Sequence, residues 1–208
     1  MALIDLEAIA RAPLTRDPFD FLVAPDALGA ATQAAVHADY PPITTPANHK
    51  LEDLQPGPAF AQLMAELQAP ELARALGARF DLPLENMPTT ITVRKYCERT
   101  DGDIHTDHKS KVLTVLLYFN PDWPSPEGRL RFLRSPDNLD DYAAEVPPLA
   151  GTLLAFRRTD HSWHGHSRYV GERRMVQLNY LDTRPLAVLQ QRAARFATHF
   201  MKDVLRIR

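Results

Sequence analysis

The sequence has a single cysteine, Cys97, in 208 residues. An intrachain disulfide is therefore impossible, and the paired-cysteine spacings of structural zinc sites are absent. No apolar run approaches the ~20 residues that a membrane-crossing helix needs. The opening stretch MALIDLEAIARAPL carries Asp5 and Glu7 inside its apolar run and offers no cleavage signal, so the expectation is a cytoplasmic protein without membrane contact. An excess of charge is missing too. Lys and Arg number 24 against 26 Asp and Glu, a net charge of −2, which gives no general pull toward nucleic acid. With only two tryptophans, a stacking platform for bases is not expected either.

What is present fits one globular domain. Hydrophobic residues make up 45% of the chain and charged residues 24%, and 208 residues suffice to bury a sizeable core. Eighteen prolines and eight glycines suit many short turns around strands better than a helical bundle. Residues 17–24 read as a short strand. Residues 26–38, 58–67 and 70–80 read as helices, the last two from apolar residues at helical spacing, such as Phe60, Leu63, Met64 and Leu67. From Asn86 the texture changes. Segments 89–97, 111–120, 128–134, 150–157 and 173–181 are rich in β-branched and aromatic residues, with turn material such as NPDWPSPEG, RSPDNLDD and VPPLAG between them. Short strands at this spacing predict a mainly β chain with supporting helices, a sandwich or jelly roll. Residues 1–85 are expected to be a mostly helical support, 86–184 the β core and 185–208 a C-terminal helix. In that last segment Leu186, Leu189, Ala193, Phe196 and Phe200 recur at spacings of three and four. Its arginines suit a solvated outer face, and a homodimer, if formed, is expected through this helix.

The chemistry concentrates in HTDHKS, residues 105–110. In an extended chain, residues i and i+2 point to one face, so His105 and Asp107 can reach one metal ion. HSWHGH, residues 161–166, supplies His161, His164 and His166. A strand-borne His-x-Asp with one distant histidine is the two-histidine, one-carboxylate set that holds Fe(II) on one face and leaves the opposite face open. Next, GERRMVQLNYLD places Arg173 and Arg174 nine and ten positions beyond His164. A dicarboxylate cosubstrate needs a fixed cation at its far end, and arginine offers a bidentate fork. Strand alternation allows only one of the two to point inward. Cys97 is expected to be a small packed residue, and His108 a residue of the rim.

Segments VRKYC, HTDHKSKVLTVLLYFN, EGRLRFL, AGTLLAFRRTDHSWHGH and GERRMVQLNYLD, in that order, resemble the Fe(II)/2-oxoglutarate-dependent dioxygenases, in particular their prolyl-4-hydroxylase-like branch. The resemblance covers a little under half the chain. It implies a double-stranded β-helix, or jelly roll, with helices packed on one sheet. It implies Fe(II) as the metal, 2-oxoglutarate as cosubstrate and O2 as oxidant. By residue, His105 and Asp107 look like the proximal iron ligands and His164 like the distal one. Arg173 looks like the 2-oxoglutarate anchor, two positions after Gly171, with Arg174 as the fallback. Tyr118 matches a position whose phenol reaches the same carboxylate, and Tyr96 a second pocket tyrosine. The chain departs from the pattern in having only Gly128, followed by Arg129, where the family often has two glycines at the strand that reads GRLRFL here, and in having His166 where an apolar residue is usual.

The activity this resemblance implies is hydroxylation of a C–H bond with release of succinate and CO2. The substrate classes left open are peptidyl proline, a free amino acid and another small metabolite. Two other classes stand beside it. One is a jelly-roll protein that senses a metabolite without turnover, and intact His105, Asp107, His164 and Arg173 speak against it. The other is a cupin-like metalloenzyme that does not use 2-oxoglutarate, and the Arg173 and Tyr118 pair speaks against that. Asp107 also argues against a halogenase, in which that iron position lacks a carboxylate.

Overall fold

The computed structural model describes residues 2–182. The predicted helix at 185–208, and the dimer contact assigned to it, lie outside the described residues.

In chain order the elements are α1 (Leu6–Arg11), β1 (Leu14–Thr15), β2 (Phe21–Ala24), α2 (Ala30–Ala38), β3 (His49–Lys50), α3 (Pro58–Leu67), α4 (Pro70–Phe80), β4 (Thr89–Cys97), β5 (Lys111–Tyr118), β6 (Leu130–Leu133), β7 (Tyr142–Val146), β8 (Leu153–Arg157), β9 (His164–Gly165) and β10 (Gly171–Leu181). The prolines at the first positions of α3 and α4 explain why both helices begin where they do: a first-turn N–H has no intrahelical partner to lose. Helix α4 ends at Asp81, whose φ of 52° is left-handed and stops the spiral.

Ten strands form two sheets, of seven and three strands, and all pairings between named strands are antiparallel. The major sheet runs β1-β2-β8-β5-β10-β4-β3 and the minor one β7-β6-β9. Side-chain alternation gives the major sheet two different faces. Leu113, Val115, Leu117, Leu153, Ala155, Val176, Leu178 and Tyr180 face the helices, meeting Phe60, Leu63, Met64, Leu76 and Phe80 in one core. Leu116, Tyr118, Leu154, Phe156 and Met175 face the other way and pack on Leu130, Phe132 and Val146 of the minor sheet. Residues of opposite parity on β5, β8 and β10 thus belong to different cores, and the inner one is the interior of the jelly roll.

The expected strands and the helices at 58–67 and 70–80 are present, several trimmed by a few residues. The division at residue 86 is not how the sheet is built. β2 comes from the N-terminal segment and pairs with β8 in the major sheet, with Phe21 opposite Phe156 and Leu22 opposite Ala155. α1, β1 and β3 were not legible, being six residues or fewer. β7 lies between two stretches of turn residues, and its half-exposed YAAEV lacks an apolar alternation.

Candidate active site

His105 and His164 are brought together by backbone pairing. Each amide N–H donates to the other residue's carbonyl oxygen at 3.0 Å, and the ring centroids lie 4.4 Å apart. The link is tertiary: β9 pairs with β6 on one side, and His105 is pinned on the other. Asp107 follows, just ahead of β5. One ligand atom from each of His105, Asp107 and His164 lies within 4.8 Å of the others. Asp107 and His164 are buried, while His105 is exposed at the rim.

Each donor is oriented from behind. His105 Nδ1 lies 2.8 Å from the Asp103 carbonyl oxygen and His164 Nδ1 lies 3.0 Å from that of Ser162. A carbonyl only accepts, so both rings carry their proton on Nδ1 and present the Nε2 lone pair. Lys111 Nζ donates to Asp107 Oδ1 at 2.6 Å, and the Thr114 hydroxyl donates to Oδ2. Burial pushes the Asp107 carboxyl up, but Lys111, His164 and the Thr114 hydroxyl outweigh it and bring it down to about 2. Burial lowers His164 to about 4. At neutral pH Asp107 is thus a carboxylate and His164 a neutral imidazole, the protonation states metal binding requires.

These side chains open into a cavity of about 190 Å³. Leu116, Leu130, Phe156 and Met175 form apolar wall, and Arg173, Gln177 and His166 are among its polar residues. A larger cavity of about 320 Å³, lined by Lys50, Gln68 and Thr89 among others, lies beside β3 and β4, and among the described residues no group of three metal donors lines it. Donor chemistry, rather than size, selects the smaller one.

Arg173 is only 2% exposed, on the barrel side of β10. Its Nε donates to the Gly128 carbonyl at 2.8 Å, Nη1 to Met175 Sδ at 3.2 Å and Nη2 to the Tyr118 hydroxyl oxygen at 3.2 Å. All three acceptors are neutral. Among the described residues no carboxylate pairs with Arg173, and a buried cation left so is costly. Arg174 faces the helices instead, with Nε on Glu172 and its guanidinium over the Tyr40 ring at 5.3 Å. Met175, Gln177 and Asn179 follow Arg173 to the inner side.

The other predicted site residues divide. Tyr118 is fully buried, with its hydroxyl against Arg173; burial raises its pKa and Arg173 opposes the rise. Tyr96 is not brought to the cavity. A bulge shifts the β4–β10 register, so Arg94 pairs with Met175, Tyr96 with Glu172 and Cys97 with Gly171. Cys97 takes the buried place, and Arg94 Nη1 lies 3.8 Å from its sulfur. Strict alternation from the sequence could not foresee that bulge. His161 is exposed, with its amide on Thr159. His108 is exposed too, with Nδ1 2.9 Å from Ser110 Oγ. His166 is buried in the cavity wall with Nδ1 on the Ser167 carbonyl, and burial followed by Arg173 lowers it to about 4.

Several contributors went unread in the sequence. Thr114 had a signal: it is the lone polar residue within VLTVLLYF and shares the face of Leu116 and Tyr118. Lys111 had none beyond its i+4 spacing from Asp107. Gly128 acts through its backbone. Its φ of 72° suits glycine, and a Cβ there would meet the Trp123 ring at 2.9 Å.

A jelly roll carrying two histidines and a carboxylate at one end of its barrel belongs to the class built to hold a single metal ion on one face. Residues 91–181 match the model described as the 2OG-Fe(II) oxygenase superfamily. No curated protein matches by sequence. Among solved structures, the chain is similar to a Pseudomonas putida prolyl-4-hydroxylase, with 18% identity, a TM-score of 0.56 and coverage of 86% of this chain and 90% of that one. A Trichoplax adhaerens prolyl hydroxylase, solved with a hypoxia inducible factor peptide fragment, gives 16% identity and a TM-score of 0.57, over 85% and 89% of the two chains. HygX from Streptomyces hygroscopicus, solved with nickel and 2-oxoglutarate, gives 15% and 0.52, over 78% and 82%. At these identities the likeness establishes a shared fold.

The residues present fit the superfamily's iron and 2-oxoglutarate. The three donors are hard or borderline ligands suited to Fe(II), with no thiolate among them. The unpaired Arg173 in the same cavity fits a carboxylate.

Proposed function

We propose that this protein is an Fe(II)- and 2-oxoglutarate-dependent hydroxylase, with His105, Asp107 and His164 as iron ligands and Arg173 and Tyr118 as the anchor for the far carboxylate of 2-oxoglutarate. The observation that carries the reading is Arg173: a buried guanidinium without a carboxylate partner among the described residues, in the same cavity as three converging metal donors. Bound there, iron with 2-oxoglutarate and O2 would supply the oxidising chemistry: one oxygen atom of O2 ends in succinate as CO2 is lost, and the other enters a substrate C–H bond.

The protein's own residues supply geometry and charge. The Asp103 and Ser162 carbonyls fix the imidazoles, and Thr114 and Lys111 fix the carboxylate. The Gly128 carbonyl occupies Arg173 Nε, which orients the two Nη groups. The Tyr118 hydroxyl accepts from Nη2 and keeps its own proton to donate to a carboxylate. Leu116, Leu130 and Phe156 exclude water from the wall, strengthening every charge contact inside. The likeness to two prolyl hydroxylases supports a C–H hydroxylase and does not choose its substrate.

The test is succinate formation from 2-oxoglutarate by the purified protein with and without Fe(II). Iron-dependent succinate and CO2 in equal amounts is the expected outcome. Their absence, with iron bound, would remove the hydroxylase assignment.

A further inference from the structure

One charged pair on the cavity wall is used neither by the metal donors nor by the Arg173 anchor. Arg94 Nη1 lies 2.7 Å from Asp101 Oδ2, and both side chains are mostly buried, at 13% and 16% exposure. Arg94 reaches inward from β4 opposite Met175, and Asp101 belongs to the turn leading to His105. Asn48, from the segment before β3, accepts from Arg94 Nε at 3.0 Å, and the Glu98 amide donates to Asp101 Oδ2 at 2.8 Å. Burial pushes the Asp101 carboxyl up, but the Arg94 hydrogen bond leads the opposing effects and holds it below its ordinary value, so the pair is ionised. Its satisfaction is incomplete. Among the described residues, Arg94 Nη2 and Asp101 Oδ1 have no partner. One spare cationic donor and one spare anionic acceptor thus sit side by side in the cavity that holds His105, Asp107 and His164.

We propose that this pair is the substrate's docking point and that the substrate is a free α-amino acid, with its carboxylate on Arg94 and its ammonium on Asp101. The inference rests on the oxygenase reading of the same cavity and narrows its substrate class. An α-amino acid carries both charges on one carbon, so its span suits two opposite charges in direct contact. The apolar wall of Leu116, Leu130 and Phe156 suits an aliphatic side chain directed toward the metal donors. An internal residue of a peptide offers amides instead of charges. Its neutral amides could reach both spare groups only through weaker, singly charged contacts, whereas a zwitterion meets each with an opposite charge. The structural alternative is a latch that only ties the Asp101 turn to β4.

The experiment is calorimetric titration of the full chain, loaded anaerobically with Fe(II) and 2-oxoglutarate, with each of the twenty proteinogenic amino acids. Each one that binds is then repeated as its N-acetyl carboxamide, which has the same side chain and neither charge. At least one free amino acid is expected to bind, with its capped form at least a hundredfold weaker. Arg94→Lys and Asp101→Asn should each weaken binding tenfold or more, with circular dichroism showing that the variants are folded. The comparison of free and capped ligands uses the unaltered protein, so it stands whether or not the variants fold. If none of the twenty binds, or if a capped form binds as tightly as its free parent, the pair is a latch and the proposal is wrong. Iron-dependent succinate formation by the same preparation reports the oxygenase reading separately. Succinate without amino-acid binding overturns only the docking point, whereas binding without succinate overturns only the oxygenase reading.

Discussion

Arg173 and Tyr118 meet inside the barrel with Nη2 3.2 Å from the phenol oxygen, although 55 residues separate them in the chain. Strands β10 and β5 are neighbours in the major sheet, and Met175 pairs with Tyr118. The guanidinium carbon also lies 5.2 Å from the Tyr118 ring centroid, so the ring holds the cation from the side while the hydroxyl holds it from the end.

Replacing this arginine should damage cosubstrate binding selectively. A hydrogen bond to a charged group is worth about 1.5–3 kcal/mol, and each 1.4 kcal/mol is tenfold. Arg173→Ala is expected to raise the apparent 2-oxoglutarate constant on the order of a hundredfold, and Arg174→Ala to leave it within a few-fold. Uncoupled succinate formation against 2-oxoglutarate concentration measures both. A large effect at Arg174 with a small one at Arg173 would contradict the inward assignment of Arg173.

Tyr118→Phe keeps the ring and removes the hydroxyl. One hydrogen bond of about 1–1.5 kcal/mol is lost, so the 2-oxoglutarate constant should rise roughly five- to tenfold in the same assay. An unchanged constant would mean that the phenol supports Arg173 without touching the cosubstrate.

The metal donors should be separable from the neighbouring histidines. Asp107→Ala and His164→Ala are expected to abolish stoichiometric Fe(II) binding, whereas His161→Ala should leave it intact, because His161 is exposed and outside the donor group. Thr114→Val retains shape and deletes the hydroxyl that orients Asp107, which should weaken iron affinity by about ten- to a hundredfold. Calorimetry under anaerobic conditions reads all four. Full-strength binding by His164→Ala would mean that a different histidine is the distal ligand.

The metal-free protein should lose stability as pH falls from about 6.5 toward 4. Burial lowers both His164 and His166 to about 4, whereas an unfolded histidine titrates near 6.5. Between those values the unfolded chain takes up protons that the folded chain refuses, so stability is fully present above the window and declines through it. Asp107, held at about 2, adds a further loss below about 3.9. Urea midpoints at pH 7.5, 6 and 5 should decrease in that order, and His166→Asn should flatten the slope. Midpoints independent of pH would mean that these histidines are not buried neutral in solution.

The sequence by itself determined the periodicities. Alternation in VLTVLLYF and RRMVQLNYL made strands with two distinct faces, and the inward order of Arg173, Met175, Gln177 and Asn179 follows from that parity alone, because a pleated strand sends every second side chain to one side. Proline at the first turn placed the starts of α3 and α4 for an equally local reason. The two metal-donor motifs were also legible, since each is only a few residues long. Where an element's place depended on a partner, the chain was silent. β2 is a member of the major sheet only because β8 lies beside it, and β9 is two residues that exist as a strand through β6. Tyr96 shows the limit most clearly. Parity from Arg94 would send it inward, yet a bulge that two strands create together gives that place to Cys97. The pairing of Arg94 with Asp101 and the grip of the Gly128 carbonyl on Arg173 belong to tertiary structure for the same reason. They are contacts across turns and sheets, set by register and burial, and no spacing within one segment encodes them.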